Sequence, residues 1–489
     1  MEERSLKFVA EACAAEIRRG AAEVLVKNVC TDSRQAKAGD LFFAIRGEKF
    51  DGHDFLNEVS AKNVAAIVVA RASRPCVDEK LTGKMPVPLL IVDDPRIALG
   101  KLAAAYRTQF DLPIVCVGGS NGKTTVKELL ASVLRQKFST LASEASFNND
   151  IGVPLTLLRL EKSHQVAVLE AGTNHPGELA PLVKMIQPKF GVLTNVGREH
   201  LEFFGDVVGV VQEEGWLAEL LPSDGKLFVN GDNEWTEKIV QRTKAKIVRV
   251  GLGEKNDWRA DKIRLDKNGV TFRVVARASR PCVSENVGSL NELTGETPVP
   301  LQDFCGEYRI NLLGRHQVTN ALFAIAVGEE LDLSRAEIQS GLAECKPPKM
   351  RLQFWEANGV RILDDAYNAN ADSTIAALET LCDLPLQGRR VAVLGDMAEL
   401  GAHSESAHAE VGRRAAELKI GQLFAVGKMA AVTAKAARDG GLNRVIEFEN
   451  VEAAVTVIRK FLKTGDVVLL KASRASRLER IAETLKTEK

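Results

Sequence analysis

The segment that decides the fold is Val115-Cys-Val-Gly-Gly-Ser-Asn-Gly-Lys-Thr-Thr-Val126. A short apolar run, typical of a buried strand, leads into a glycine-rich turn, and residues that favour a helix follow. Such a turn directs backbone N–H groups and the positive end of the helix dipole at phosphate oxygens. Lys123 can then reach the β- and γ-phosphates of a nucleotide, and the Thr124 hydroxyl can bind Mg²⁺. Because Val117 stands where the usual spacing has a glycine, the segment predicts a shortened P-loop, G-x-x-G-K-T-T.

The length and composition predict a large globular protein without a membrane span. The chain has 489 residues, which at about 150 residues per domain suggests roughly three domains. Lys plus Arg and Asp plus Glu are 65 each, and this balance disfavours binding to nucleic acid or to an acidic membrane surface. The eight cysteines include no C-x-x-C pair. We therefore expect reduced thiols in a cytoplasmic protein rather than a disulfide or zinc framework.

Strands alternate with helices along most of the chain, and this order predicts parallel sheets with crossover helices. Strands are predicted at 41–45, 65–69, 89–92, 114–117, 166–169, 192–195, 226–229, 247–250, 361–364, 390–394, 422–426 and 467–471. The pattern favours three α/β domains. They are a small N-terminal domain at 1–108, a central P-loop ATPase domain with a parallel sheet at 109–348, and a Rossmann-like C-terminal domain at 349–489.

Two further candidate residues follow predicted strands of the central domain. Glu170 ends the strand at 166–169, and His200 follows the strand at 192–195. Ligands of open α/β sheets bind beyond the carboxyl ends of the strands. Glu170 and His200 could therefore meet Thr124 around a metal ion, although each side chain alone would more often be a capping or surface residue.

Together with the P-loop, several segments resemble the Mur ligase family. In the central domain these are Glu170-Ala-Gly-Thr-Asn-His-Pro-Gly-Glu178 and Thr194-Asn-Val-Gly-Arg-Glu-His-Leu-Glu-Phe-Phe-Gly205. In the N-terminal domain, Thr31-Asp-Ser-Arg34, Asp40-Leu-Phe-Phe-Ala-Ile-Arg-Gly47 and Asp51-Gly-His-Asp-Phe55 resemble the family's uridine-nucleotide-binding domain. Three more segments resemble the branch that adds D-alanyl-D-alanine: Ser146-Phe-Asn-Asn-Asp-Ile-Gly-Val-Pro154, Asp364-Asp-Ala-Tyr-Asn-Ala-Asn370 and Val393-Leu-Gly-Asp-Met-Ala-Glu-Leu-Gly401.

The resemblance implies a reaction, its substrates and its site residues. ATP with Mg²⁺ would phosphorylate the terminal carboxylate of a UDP-MurNAc-tripeptide, and the amine of D-Ala-D-Ala would then attack the acyl phosphate. We expect a cytoplasmic monomer that makes the pentapeptide precursor of peptidoglycan. The implied catalytic residues are Lys123, Glu170, His200 and Arg351, of which Arg351 would reach the γ-phosphate when the C-terminal domain closes. The implied nucleotide-binding residues are Gly119, Ser120, Asn121, Gly122, Lys123, Thr124, Thr125, Asn320 and Asp365. The implied substrate-binding residues are Ser33, Arg34, Arg46 and Asn148, and the metal ligands are Thr124, Glu170 and His200.

The sequence departs from the family in the helix after His200. There the family carries a lysine whose carbamylated ammonium group binds metal, whereas this chain has Glu214, within Gln212-Glu-Glu-Gly-Trp216. We interpret Glu214 as a carboxylate that acts through a bridging water or orients a metal ligand. The alternative is an exposed helix glutamate in a shifted alignment.

Two other functions stay open at this stage. One is a sister ligase that adds a different amino acid, such as a tripeptide-forming ligase or a folylpolyglutamate synthase. The other is a nucleotide-binding protein without ligase activity, which the missing lysine would suggest.

A repeated segment predicts two insertions without catalytic function. Val68-Val-Ala-Arg-Ala-Ser-Arg-Pro-Cys-Val77 recurs as Val274-Val-Ala-Arg-Ala-Ser-Arg-Pro-Cys-Val283, and each copy interrupts the family resemblance. Long polar insertions in surface loops cost little loop-closure entropy. We expect that excising 71–88 or 277–300 leaves the specific activity within a few-fold of the parent. Loss of substrate binding in soluble, folded deletion variants would contradict this prediction.

Overall fold

The computed structural model describes residues 1–71, 87–276, 301–385 and 387–486. Within these ranges the chain forms two compact units. The smaller comprises Met1–Cys116, Phe138–Thr173 and Gly177–Phe190, and the larger comprises Val117–Lys137, Asn174–Pro176 and the chain from Gly191 onward. The predicted domain boundaries near 108 and 348 stay predictions. Both copies of the repeated segment lie mostly outside the described residues, so the predicted surface position of these insertions also stays a prediction.

The N-terminal part of the smaller unit contains a sheet of order β2-β7-β6-β5-β4. Its elements are β1 (Arg4–Ser5), α1 (Leu6–Cys13), β2 (Glu16–Arg19), β3 (Leu25–Val26), β4 (Asn28–Cys30), β5 (Asp40–Phe43), α2 (Leu56–Ala61), β6 (Ala66–Ala70), β7 (Leu89–Val92) and α3 (Pro95–Arg107). Strand β2 is antiparallel to β7, and β7, β6, β5 and β4 run parallel. The three strands predicted in this part of the chain are confirmed within two residues.

The middle of the chain carries the phosphate loop between a strand and a helix. The elements are β8 (Ile114–Gly118), α4 (Lys123–Leu134), β9 (Thr140–Ala142), α5 (Gly152–Leu157), β10 (Val166–Glu170), α6 (Leu179–Ile186), β11 (Phe190–Leu193), α7 (Leu201–Phe204), α8 (Val207–Glu219), β12 (Lys226–Asn230), α9 (Thr236–Val240), β13 (Lys246–Gly251), β14 (Trp258–Asp266), β15 (Gly269–Ala276), β16 (Gly306–Ile310), α10 (His316–Glu330) and α11 (Arg335–Glu344). In the smaller unit, β9 and β10 pair in parallel.

In the larger unit, six strands of the middle of the chain form a sheet in the order β11-β12-β13-β14-β15-β16. Strands β12, β13 and β14 are parallel, whereas β14, β15 and β16 form an antiparallel meander. The prediction of a parallel sheet is therefore right for the strands before β14 and wrong for the meander. The strand predicted at 192–195 ends at Leu193, because Thr194 and Asn195 form hydrogen bonds to the phosphate loop instead.

The C-terminal part of the larger unit is a second sheet, of order β17-β18-β22-β19-β20-β21. Its elements are β17 (Gln353–Ala357), β18 (Val360–Asp365), α12 (Ala371–Asp383), β19 (Arg390–Gly395), α13 (Ser404–Glu417), β20 (Gln422–Val426), α14 (Ala430–Asp439), β21 (Val445–Phe448), α15 (Val451–Phe461), β22 (Val467–Lys471) and α16 (Glu479–Lys486). Only β17 is antiparallel to its neighbour. Successive residues of β22 pack into different apolar clusters: Leu469 belongs to one cluster and Val468 to the other. This alternation is expected for a sheet that is covered on both faces.

Candidate functional site

The phosphate loop is a tight turn that only glycine fits at two positions. Gly119 and Gly122 have φ angles of +112° and +88°, which L-side chains rarely adopt. A Cβ on Gly119 would lie 2.4 Å from Thr194 Oγ1, and a Cβ on Gly122 would lie 2.8 Å from Asn320 Oδ1. Asn320, a predicted nucleotide-binding residue, therefore lies against the loop. Its Nδ2 donates to Gln317 Oε1 at 2.8 Å.

Three N–H groups of the loop have partners inside the protein. Gly119 N donates to Glu214 Oε2 at 2.7 Å. Ser120 N donates to the Asn195 carbonyl and Asn121 N to Asn195 Oδ1, both at 2.8 Å. The hydrogen bonds of Gly119, Ser120 and Asn121 thus fix the loop. An anion would instead bind at the N–H groups of the first turn of α4, which includes Thr124 and Thr125.

Lys123 supplies the positive charge of the loop. Its Nζ donates to the carbonyls of Gly119 and Ser120, and it lies 3.4 Å from Glu199 Oε2. Burial raises the pKa of Glu199, while Lys123 and His200 oppose that shift. The other oxygen, Glu199 Oε1, is buried and has no hydrogen-bond partner among the described residues. Sequence reasoning missed Glu199, although the acidic residue directly before His200 was a signal that could have identified it.

His200 forms a hydrogen bond with Glu399, which lies in the segment after β19. It has a left-handed backbone, with φ of 49°. Its Nδ1 lies 2.5 Å from Glu399 Oε2, and its Nε2 lies 3.8 Å from Glu199 Oε2. The hydrogen bond from His200 lowers the pKa of Glu399. An imidazole fixed in this way at one nitrogen presents the other in a set direction, as metal-ligating histidines do. Glu399 was not singled out by the sequence, because its partner is 199 residues away.

In the smaller unit, the structure brings Glu170 and Asn148 together. Glu170 ends β10 and is buried, and its Oε1 accepts a hydrogen bond from Asn148 Nδ2 at 2.8 Å. Glu170 Oε2 is buried without a partner in the described part of the chain. Asn148 therefore orients the predicted metal ligand in this structure, whereas its predicted contact with substrate stays a prediction.

Glu170 in the smaller unit and Glu199 in the larger unit each offer an oxygen ligand of the kind that magnesium prefers. In both residues one buried carboxylate oxygen has no partner in the described residues, and Mg²⁺ prefers oxygen ligands. No group of three or more His, Cys, Asp or Glu in these residues could hold a metal on its own. Either carboxylate would therefore need further ligands to hold magnesium, such as water or phosphate oxygens, as is usual in nucleotide sites.

Glu214 is fully buried in α8, so the alternative of an exposed helix glutamate is wrong. Its Oε2 accepts from Gly119 N, and its Oε1 has no partner among the described residues. Burial raises the pKa of Glu214 to about 8, Lys123 partly opposes the shift, and Glu199 adds to it. The carboxyl group therefore supports the loop directly. Its predicted link to a metal stays a prediction.

Arg351 and Asp365 occupy the C-terminal part of the larger unit. The Arg351 guanidinium lies 4.3 Å above the ring of Tyr367. Asp365 pairs with Lys471 at 2.7 Å and accepts from Leu352 N at 3.1 Å. Burial lowers the pKa of Lys471, and Asp365 opposes that shift. Asp365 therefore has a buried ion-pair partner, and contacts of both residues with nucleotide stay predictions.

The N-terminal candidates lie together around β4, β5 and the loop after β5. Ser33 is buried, and its carbonyl accepts from Lys62 Nζ at 2.6 Å. Arg34 pairs with Asp32 at 2.7 Å with most of its side chain exposed. Arg46 forms an isolated bridge with Asp51. The exposed guanidinium of Arg34 remains accessible to an anionic substrate, and the predicted role of these residues stays a prediction.

Comparison with known proteins decides the family. Three family models match: the Mur ligase middle domain at 117–328, the Mur ligase glutamate ligase domain at 350–474, and the Mur ligase family catalytic domain at 25–107. The UDP-N-acetylmuramoyl-tripeptide--D-alanyl-D-alanine ligase of Escherichia coli K12 is 35% identical over 472 residues, which are 95% of this chain and 94% of that relative. The chain belongs to the Mur ligase family.

Solved structures of Mur ligases also resemble this one. A MurF structure from Acinetobacter baumannii has a TM-score of 0.84 at 30% identity and covers 99% of both chains. A MurF ligase from Thermotoga maritima, solved with ADP, has a TM-score of 0.76 at 26% identity and covers 94% of this chain and 96% of that one. The predicted family, the predicted similarity to its D-alanyl-D-alanine-adding branch and the α/β fold class are confirmed. Among the described residues, no helix is long and apolar enough to cross a membrane.

The contact between Glu214 and Gly119 leads to a test with two variants. Glu214→Leu removes the acceptor for Gly119 N, so we expect kcat/KM for ATP to fall about 10- to 100-fold, the loss expected when a buried N–H group is left without a partner. Glu214→Gln keeps an acceptor of the same shape, and we expect a loss below about fivefold. Steady-state kinetics with and without bicarbonate measure both effects. A loss in Glu214→Gln as large as in Glu214→Leu would show that an ionised carboxylate, rather than an acceptor, is required.

Proposed function

We propose that this Mur ligase joins D-alanyl-D-alanine to UDP-N-acetylmuramoyl-tripeptide at the expense of ATP. The tripeptide carboxylate attacks the γ-phosphorus of ATP and ADP leaves. The dipeptide amine then attacks the acyl carbon, phosphate leaves, and the amine loses a proton as the amide forms. The observation that carries the proposal is the match of 30–35% identity to such ligases of Escherichia coli and Bacillus subtilis over at least 94% of their lengths. The phosphate loop, with its charged Lys123, supports it.

Charge explains how the residues serve this reaction. An anionic carboxylate that approaches an anionic phosphate needs concentrated positive charge. Lys123 provides one cation, and its contact with Glu199 keeps its ammonium group at the loop. Magnesium, when bound, would neutralise further phosphate charge. Thr124, Glu170 and His200 would hold it, with Glu214 behind the loop.

The other proposed contacts divide between the two ends of the chain. Ser33, Arg34 and Arg46 would bind the uridine nucleotide, and Arg351 would reach the γ-phosphate. Asn320 and Asp365 would contact the nucleoside of ATP. We further propose that the protein acts as a monomer in the cytoplasm, where ATP and the UDP-linked peptide are available, within peptidoglycan synthesis.

Phosphate release with a matrix of substrates tests the function. The purified chain is given ATP and Mg²⁺ with a UDP-MurNAc-tripeptide that ends in lysine or in diaminopimelate, and with or without D-Ala-D-Ala. We expect release only when both peptide substrates are present, with the pentapeptide found by mass spectrometry. Release with a single amino acid, or with a folate substrate and glutamate, would indicate a sister ligase. ADP binding without any release would indicate a protein without ligase activity.

Replacing the lysine of the phosphate loop tests the nucleotide site. We expect Lys123→Ala to lower kcat by at least about 100- to 1,000-fold, because its charge is directed at the place where negative charge develops. The melting temperature should stay close to that of the parent, since Lys123 is not part of an apolar core. Lys435→Ala, at an exposed lysine of α14, is the control. Turnover near the parent value in Lys123→Ala would refute the assignment.

A further inference from the structure

Arg198 joins two carboxylates, on helices α12 and α13, to the segment after β11. Its Nε donates to Asp372 Oδ1 at 3.0 Å, and its backbone N–H donates to Asp372 Oδ2 at 3.1 Å. Its Nη1 donates to Glu410 Oε2 at 2.5 Å and its Nη2 to Glu410 Oε1 at 3.1 Å. Asp372 is in the first turn of α12 and Glu410 is in α13. We call this set of three residues the Arg198 clamp.

The clamp lies beside the phosphate loop. Asn370, the N-cap of α12, donates from Nδ2 to Asn121 Oδ1 at 3.0 Å. A Cβ on Gly197 would lie 2.8 Å from Asp372 Oδ2, so the segment and α12 approach each other closely. Glu199 and His200 directly follow Arg198 and face Lys123 and Glu399. A displacement of Arg198 would therefore move the groups that surround Lys123.

The clamp has the features of an ion pair that contributes more than an exposed one. The side chains of Arg198, Asp372 and Glu410 are 35%, 37% and 36% exposed, so water screens them only in part. The guanidinium is bidentate to Glu410, a geometry that is stronger and more directional than a single contact. The hydrogen bonds that Arg198 donates to Glu410 and Asp372 raise the pKa of Arg198 further above its usual value. Exposed single pairs contribute little by comparison.

We propose that Arg198 is a positioning residue, which holds the segment Thr194–His200 and the phosphate loop in a fixed position against helices α12 and α13. Its effect on the reaction rests on the proposed function, because Arg198 acts through Glu199, His200 and Lys123 rather than on the substrate itself. Its effect on the order of the loop does not rest on that function.

The chain offers a matched control for the clamp. Arg414 also contacts two carboxylates, Glu379 at 2.7 Å and Glu417 at 2.8 Å, and its side chain is likewise 35% exposed. All three residues belong to α12 and α13. Arg414 therefore matches Arg198 in chemistry and exposure, but it joins nothing to the phosphate loop.

Hydrogen exchange tests the clamp without any activity. In the protein without ligands, we expect Arg198→Met to speed amide exchange in peptides that cover 119–125 and 194–200 by about tenfold or more, since local opening becomes easier. Arg414→Met should leave both regions unchanged, and melting temperatures check that both variants are folded. Equal exchange in the parent and Arg198→Met, or the same increase in Arg414→Met, would overturn the proposal.

Kinetics test the effect on the reaction. We expect Arg198→Met to lower kcat by up to about 100-fold, because small misplacements of this kind reach that size. The Kd for ADP should change less than about threefold, since the nucleotide contacts remain. Arg198→Lys, which keeps the charge, should recover part of kcat, and Asp372→Asn should add little to Arg198→Met because both remove one interaction. Full kcat in Arg198→Met would overturn the positioning role.

The two proposals fail in different ways. If the parent protein has no ligase activity but Arg198→Met shows the expected exchange, the proposed function is wrong and the clamp stands. If the parent is an active ligase and Arg198→Met matches it in both kcat and exchange, the clamp is wrong and the proposed function stands.

Discussion

Gly119 and Gly122 hold the phosphate loop in a backbone conformation that side chains rarely allow, and the space beside each glycine is already filled. Thr194 from the end of β11 occupies one space, and Asn320 from α10 occupies the other. The loop therefore depends on the sheet and α10, which place these two residues beside the glycines. Since the amides of Gly119, Ser120 and Asn121 are bound to Glu214 and Asn195, the loop is fixed before any nucleotide arrives. Such preorganisation lowers the cost of binding.

The same loop gathers an excess of buried acid. In the larger unit, Glu199 and Glu214 are both buried near the single lysine of the loop. Two carboxylates with one ammonium group cannot all be charged cheaply away from water. Burial is the main cause of the raised pKa of Glu214, about 8, and Glu199 adds to the shift while Lys123 opposes it. A bound cation would relieve the excess of negative charge in the same way as a proton.

The sequence predicts the local features of this molecule better than its long-range contacts. Buried strands such as β20 and β22 were predictable to the residue because four of the five residues in each are apolar and all five are buried. The meander of β14 and β15 was missed, because β14 has buried residues only near its beginning and carries several charges. The Asn268-Gly269 pair at its turn, a common hairpin signal, could have identified it.

The site residues show the same difference between local features, which the sequence predicts, and long-range contacts, which it does not. The glycine turn and Lys123 were evident because their chemistry lies within one short segment. Glu399 and Arg198 were not, because each acts through a partner between 174 and 212 residues away. Glu214 was noticed only as a departure from the family.

The length of the Glu214 side chain determines what it can reach. A carbamylated lysine would carry its oxygens roughly 4 Å further from the backbone. The shorter glutamate reaches the Gly119 amide at 2.7 Å, so a longer side chain at this backbone position would extend past that amide. The carboxyl group of Glu214 thus supports the loop without any prior modification of its side chain, so the order of the loop at this contact comes from the unmodified residue alone.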